Sequence, residues 1–110
     1  FDILVNDDIG VDGEKILPNQ FKVHSNYPNP FNASTNILIN LSRPEIVELS
    51  IYDVMGNKIK NLISGTELNG PITINWDGTN SKGENVTSGV YFYLLMLNKN
   101  NYVGKMILLK

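Results

Sequence analysis

Short runs in which every second residue is apolar dominate this chain. Ile37, Ile39 and Leu41 alternate with Asn36, Leu38 and Asn40. Val47, Leu49 and Ile51 alternate with Glu48, Ser50 and Tyr52, and Ile72, Ile74 and Trp76 with Thr73 and Asn75. An extended chain turns successive side chains to opposite sides, so each run is read as a strand with one face on a core and one toward water. Phe21 to Ser25 and Lys58 to Ile63 read as two further strands. Val90 to Leu97 is apolar at every position, as in a strand covered on both faces or one with an exposed apolar stripe. Val103 to Leu109 closes the set. No window of helix length places apolar residues three and four apart.

The residues between these runs suit reversals. The chain has sixteen asparagines, nine glycines and five prolines in 110 residues, a composition that favours turns. Asp53-Val54-Met55-Gly56-Asn57 reads as a tight reversal in which Gly56 takes a positive φ. Asn69-Gly70-Pro71 and Asp77-Gly78 read as turn dipeptides, and Asn98 to Asn101 as a hairpin loop. Seven short strands so punctuated predict an all-β fold, an immunoglobulin-like antiparallel β-sandwich. The chain has no cysteine, so packing alone must hold the two sheets together.

Charge is unevenly placed. Residues 1–14 hold five acids (Asp2, Asp7, Asp8, Asp12 and Glu14) and no base, whereas residues 15–110 hold nine bases against six acids. The organisation expected is therefore an acidic linker or N-terminal arm over 1–16 and the Ig-like domain over 17–110. The first residue is Phe1 rather than Met, which suggests a processed chain or an excised fragment. A net charge of −2 argues against a sequence-independent hold on nucleic acid or anionic lipid. No apolar run reaches the ~18 residues of a helical membrane span.

Catalytic arrangements find few candidates. Without cysteine there is no thiolate chemistry, and one histidine, His24, cannot form an ordinary zinc site. No Gly-x-Ser-x-Gly elbow occurs. Asp53 and Asp77 stand at turn starts, where a carboxylate bonded to backbone N–H groups is the structural explanation. The acidic lead departs from an EF-hand loop, which needs an oxygen ligand where Gly10 stands. Asp77 to Glu84 is oxygen-rich, and reads as a structural turn. The expectation is a protein without catalytic activity, cofactor or bound metal.

Two apolar features exceed what the core needs. If Tyr91, Tyr93 and Leu95 face the core, then Val90, Phe92, Leu94 and Met96 face the other way. They are either covered by other parts of the chain or form a docking face. Phe1 to Val5 opens the chain with a second apolar stretch, and three fates are open for it. It finishes a preceding domain, adds a strand here, or pairs with the edge of another copy.

Several motifs together are familiar. Asn26-Tyr27-Pro28-Asn29-Pro30-Phe31-Asn32 precedes Ser34-Thr35 and an alternating strand. Ile51-Tyr52-Asp53-Val54-Met55-Gly56 follows, then Trp76-Asp77-Gly78, Ser88-Gly89-Val90-Tyr91-Phe92-Tyr93, and Lys105-Met106-Ile107-Leu108-Leu109-Lys110. In this order they resemble the C-terminal sorting domains of type IX secretion in Bacteroidetes-related bacteria, over residues 17–110. The same core is similar to the Ig-like domain of flagellar hook-capping proteins. Read physically, Pro28 and Pro30 stiffen the link between two strands and hold Asn29 extended. Phe31 is placed to plug one end of the sandwich, and Gly89 to let a strand start close to a neighbour. The resemblance implies that the closing segment Lys105 to Lys110, with Gly89 and Tyr91, is read by an outer-membrane translocon. A sortase-like protease then acts at the linker, and a cargo domain precedes the chain. The domain is commonly removed or exchanged for a lipopolysaccharide anchor, which places the product outside the cell or on its surface. Family members often carry a polar residue where Leu94 stands.

Two functions are therefore expected from the sequence. The first is a secretion signal and attachment domain. The second is a structural or interaction module, either a spacer or a subunit that self-associates through its N-terminal arm.

Overall fold

The computed structural model describes residues 15–17, 21–98 and 100–110. The acidic lead over residues 1–14, with the apolar stretch Phe1 to Val5, lies outside the described residues. Six antiparallel strands form: β1 (Lys15–Leu17), β2 (Phe21–Val23), β3 (Thr35–Asp53), β4 (Lys58–Trp76), β5 (Gly89–Met96) and β6 (Asn101–Leu108).

The alternation predicts seven short strands, and the difference lies in β3 and β4. Each is 19 residues long and joins two of the expected strands. The first half of β3 pairs with β2 and with the second half of β4; its second half pairs with β5 and with the first half of β4. The Asn69-Gly70-Pro71 turn is accordingly absent. Gly70 stands opposite Leu41 within the ladder, with φ +76°. The β3–β4 register slips between Leu41 and Glu45, and again around Leu49. Such bulges bend a ribbon without ending it. Pro71 lacks an N–H to share, and it sits where β4 is an edge strand bonded only to β3.

The bent ribbon brings two half-sheets over one core, in the manner of an Ig-like sandwich. Phe21, Val23, Ile37, Ile39 and Leu41 come from one half; Val47, Leu49, Ile51, Tyr93 and Leu95 come from the other. Each such side chain, fully buried, contributes about 1.5–3 kcal/mol. Trp76 is fully buried, and its Nε1–H donates to the Thr79 carbonyl at 2.9 Å. Phe31 and Tyr91 lie against its ring, with centroids 5.6 and 5.3 Å away. Gly104 is a packing residue: a Cβ there would collide with the ring of Tyr93, its partner across the ladder. Burial holds the Tyr93 phenol well above its ordinary pKa, with the neighbouring Tyr102 adding to the shift.

The reversals expected at Asp53 and Asp77 form by local chemistry. Asp53 Oδ1 accepts from the N–H groups of Met55 and Asn57, both at 2.9 Å, and Gly56 takes φ +85°. Asn80 closes the Asp77–Glu84 turn, its Oδ1 accepting from the Lys82 and Glu84 N–H groups. A correction falls on Gly89, where a Cβ would meet open space, so close approach does not explain that glycine.

Candidate functional site

The motif Asn26 to Asn32 and the closing segment lie far apart in sequence and meet in space. Asn26 is buried, and its Nδ2 donates to Thr35 Oγ1 at 3.0 Å; the Thr35 hydroxyl donates to the Pro28 carbonyl at 2.8 Å. These bonds fix the loop's start. The peptide bonds before Pro28 and Pro30 are cis. Between the two prolines, Asn29 turns its amide on the outer edge of β6. Its Nδ2 donates to the Lys105 carbonyl at 3.3 Å, and its Oδ1 accepts from the Ile107 N–H at 3.0 Å. One side chain thereby supplies the donor and acceptor that a neighbouring strand would supply.

Backbone takes over from there. The Phe31 N–H donates to the Ile107 carbonyl at 2.9 Å, and the Leu109 N–H donates to the Phe31 carbonyl at 2.8 Å, a parallel bridge centred on Leu108. Asn32 Nδ2 adds a bond to the Leu109 carbonyl at 3.2 Å. The Phe31 ring meanwhile enters the core beside Trp76, closing the sandwich end as the sequence implied. Lys110 is held as well: its N–H donates to Ser88 Oγ, and its ammonium donates to the Val86 carbonyl at 2.6 Å. The chain's closing residues are therefore latched by two loops.

The latch sorts the side chains of the closing segment. Met106 and Leu108 point into the core, Ile107 is half-buried, and Lys105, Leu109 and Lys110 are exposed. Leu109 keeps 55% of its surface in water. What the structure presents outward is thus two cationic side chains around one apolar one, on a backbone paired with β5 as far as Leu108 and bonded to the Asn29–Asn32 loop from Lys105 to Leu109. Tyr91 is buried, with its hydroxyl on the Thr87 carbonyl at 2.7 Å, and Gly89 begins β5 opposite Leu108. Both lie beside the latch. Upstream on β6, Val103 pairs only with Leu94 among the described residues.

The expected apolar face exists, in a milder form. Tyr91, Tyr93 and Leu95 are buried, and Val90, Phe92, Leu94 and Met96 occupy the opposite side, each half-buried. Register explains the partial cover. Phe92 stands between Tyr52 and Lys105, and Leu94 between Ser50 and Val103. Ser50 is itself buried and bonded to Asn61 Nδ2 at 2.8 Å.

Pro28, Asn29, Pro30 and Phe31 come together with Trp76, Leu108 and Leu109. Asp53 and Gly56 form a separate turn. Asp77 and Gly78 belong to the loop after β4, where Gly78 is buried with φ +74°. The Asn57 N–H bond leads the effects that hold Asp53 below the usual carboxylate pKa. The Thr79 hydroxyl does the same at Asp77, with help from Lys60 3.6 Å away. Among the described residues no three His, Asp or Glu side chains gather as metal ligands. Asn32 and Ser88 belong to the latch and stand in the sequence only as motif residues, and Val86 carries no signal that marks it.

The comparisons agree with this architecture. A family model described as the FlgD Ig-like domain matches residues 28–96. Among solved structures, the chain is similar to dimeric latent PorU from Porphyromonas gingivalis. The identity is 29% and the TM-score 0.65, over 86% of this chain and 10% of that one. Its fold is also similar to PorZ, described as an essential bacterial surface component of the type IX secretion system of Porphyromonas gingivalis. There the identity is 20% and the TM-score 0.57, over 80% of this chain and 11% of that one. The chain thus spans about a tenth of each of those proteins. No curated protein matches it.

Proposed function

The chain belongs to the FlgD Ig-like domain family, and from that premise we propose that it is a non-catalytic secretion signal and cell-surface attachment domain of the type IX system. The outer-membrane translocon binds the folded sandwich at its closing strand, a sortase-like protease cuts near residues 1–17, and the cargo lies ahead of them. The product is secreted or held at the cell surface. The latch is the observation that carries this reading. It fixes the backbone at Lys105 and Leu109 and the ammonium of Lys110, and a preformed epitope binds with little ordering cost. The likeness to PorU and to a type IX surface component supports the assignment to that system.

The test is display of a reporter fused ahead of the chain in a host with type IX secretion. Deleting Lys105 to Lys110 is expected to leave the reporter periplasmic. That deletion also removes Met106 and Leu108 from the core. A second variant, Lys105→Glu with Leu109→Ser, therefore alters only exposed side chains. Reduced display with an unchanged melting temperature supports recognition, and full display of both variants contradicts it.

The outer side of β6 at Val103 has no partner strand among the described residues, which supports a second reading, a structural module that self-associates by adding the N-terminal arm of one copy to β6 of another. Size measurement with and without residues 1–16 separates the two. A monomer in both cases removes strand exchange.

A further inference from the structure

The approach to the latch breaks its own alternation. Phe21 and Val23 are buried and Lys22 is exposed, so a regular strand would send Asn26 outward and Tyr27 inward. The reverse occurs: Asn26 keeps 4% of its surface in water and Tyr27 keeps 79%. The register gives the cause. Lys22 and Val23 stand opposite Asn40 and Ile39, and the His24 N–H bonds the Leu38 carbonyl, yet Tyr27 bridges to Asn36. Ser25 and Asn26 together therefore oppose Ile37. That is a β-bulge, a device that re-aims side chains and concentrates beside functional sites.

The exchange runs against burial preference. A polar amide goes into the interior, where Thr35 satisfies it, and the large aromatic ring goes into water. The backbone that carries the ring is fixed, because the Tyr27 N–H and carbonyl bond the Asn36 carbonyl and N–H at 3.0 and 2.9 Å. Tyr27 borders an open groove on the outer surface of the sheet, shared with His24, Ser25, Asn36, Leu38 and Thr73. Asn75 Nδ2 donates to Asn36 Oδ1 at 2.9 Å, which orients the Asn36 amide so that its own N–H donors, which bond no other described residue, are presented to a ligand. Half-buried Leu38 gives the groove an apolar floor, and among the described residues no carboxylate or lysine lines it.

We propose that this groove binds a neutral saccharide, with one sugar ring stacked on Tyr27 and its hydroxyls bonded by Asn36 and Thr73. A sugar offers one apolar C–H face and a fringe of hydroxyls, which match a rigid aromatic plate beside neutral amide and hydroxyl groups. Among the described residues that line the groove, no Asp, Glu, Lys or Arg offers a charged ligand an opposite charge. An extended peptide binds by its backbone at open sheet edges, and β3, under this groove, is bonded on both sides. The proposal is independent of the sorting function.

The test is NMR titration of the isotope-labelled full chain with neutral gluco-, manno- and galacto-oligosaccharides up to millimolar concentration, and with a proline-rich peptide. Expected are saturable shifts of the Tyr27, Asn36, Leu38 and Thr73 amides with one of the sugars. Tyr27→Ala should weaken that binding roughly tenfold or more without changing the melting temperature, and Tyr27→Phe should retain it because the stacking face remains. Any of three results overturns the proposal: no saturable shift with any sugar, Tyr27→Ala binding like wild type, or these amides responding to the peptide alone.

Discussion

Two connecting segments of this protein are held in opposite ways. The turn at Asp53 to Asn57 is closed by its own residues, Asp53 bonding Met55 and Asn57 while Gly56 takes the positive φ. The loop at Tyr27 to Asn32 is completed by residues more than seventy positions away, at Lys105, Ile107 and Leu109. A self-closed turn needs nothing from the rest of the fold, and its loss stays local. A loop completed at long range joins the first third of the domain to its last strand, so both succeed or fail together.

Substitutions can set the two against each other. Phe31→Ala removes a buried ring from beside Trp76 and should cost about 3–5 kcal/mol in denaturant unfolding, freeing the closing strand with it. Gly104→Ala touches neither segment, but its methyl would collide with Tyr93 and push β6 outward. A loss of about 2–3 kcal/mol is expected, with faster hydrogen exchange at Ile107 and Leu109 and none at Asn57. Asn29→Ala deletes two bonds at an exposed edge and should cost about 1 kcal/mol, with exchange rising at the Ile107 amide. The smallest effect is expected from Asp53→Asn. Its carboxylate has a lowered pKa in the fold, so its contribution is present above the ordinary value of about 4 and is lost as pH falls through the folded value. Acid unfolding of this variant should show a slightly shallower loss of stability below pH ~4, with the latch amides unchanged.

The contrast also explains what the sequence reveals. Alternation from Thr35 to Leu41 and from Val47 to Ile51 identifies the strands and their inward residues, because burial on one face is a local pattern. The Asp53 turn is legible for the same reason. Asn69-Gly70-Pro71 reads as a turn and is instead part of a bent strand, since pairing with Leu41 outweighs local turn preference. The latch is illegible as a contact: nothing near Asn29 says that its amide will mimic a strand against Lys105 and Ile107. Of its members, Phe31 is legible as an apolar plug but not as a partner of the last strand, and Leu108 only as a motif residue. Tyr27 reads as part of that motif, and the bulge that turns it outward depends on a register set by β3.

The central claim is that the latched closing strand is what an export machinery reads. It is tested most directly by display of the same reporter carrying Asn29→Ala or Asp53→Ala, both confirmed as folded by circular dichroism and thermal melting. The Asn29→Ala fusion is expected to accumulate in the periplasm while the Asp53→Ala fusion reaches the cell surface as the wild type does. Equal display of the two would contradict the claim.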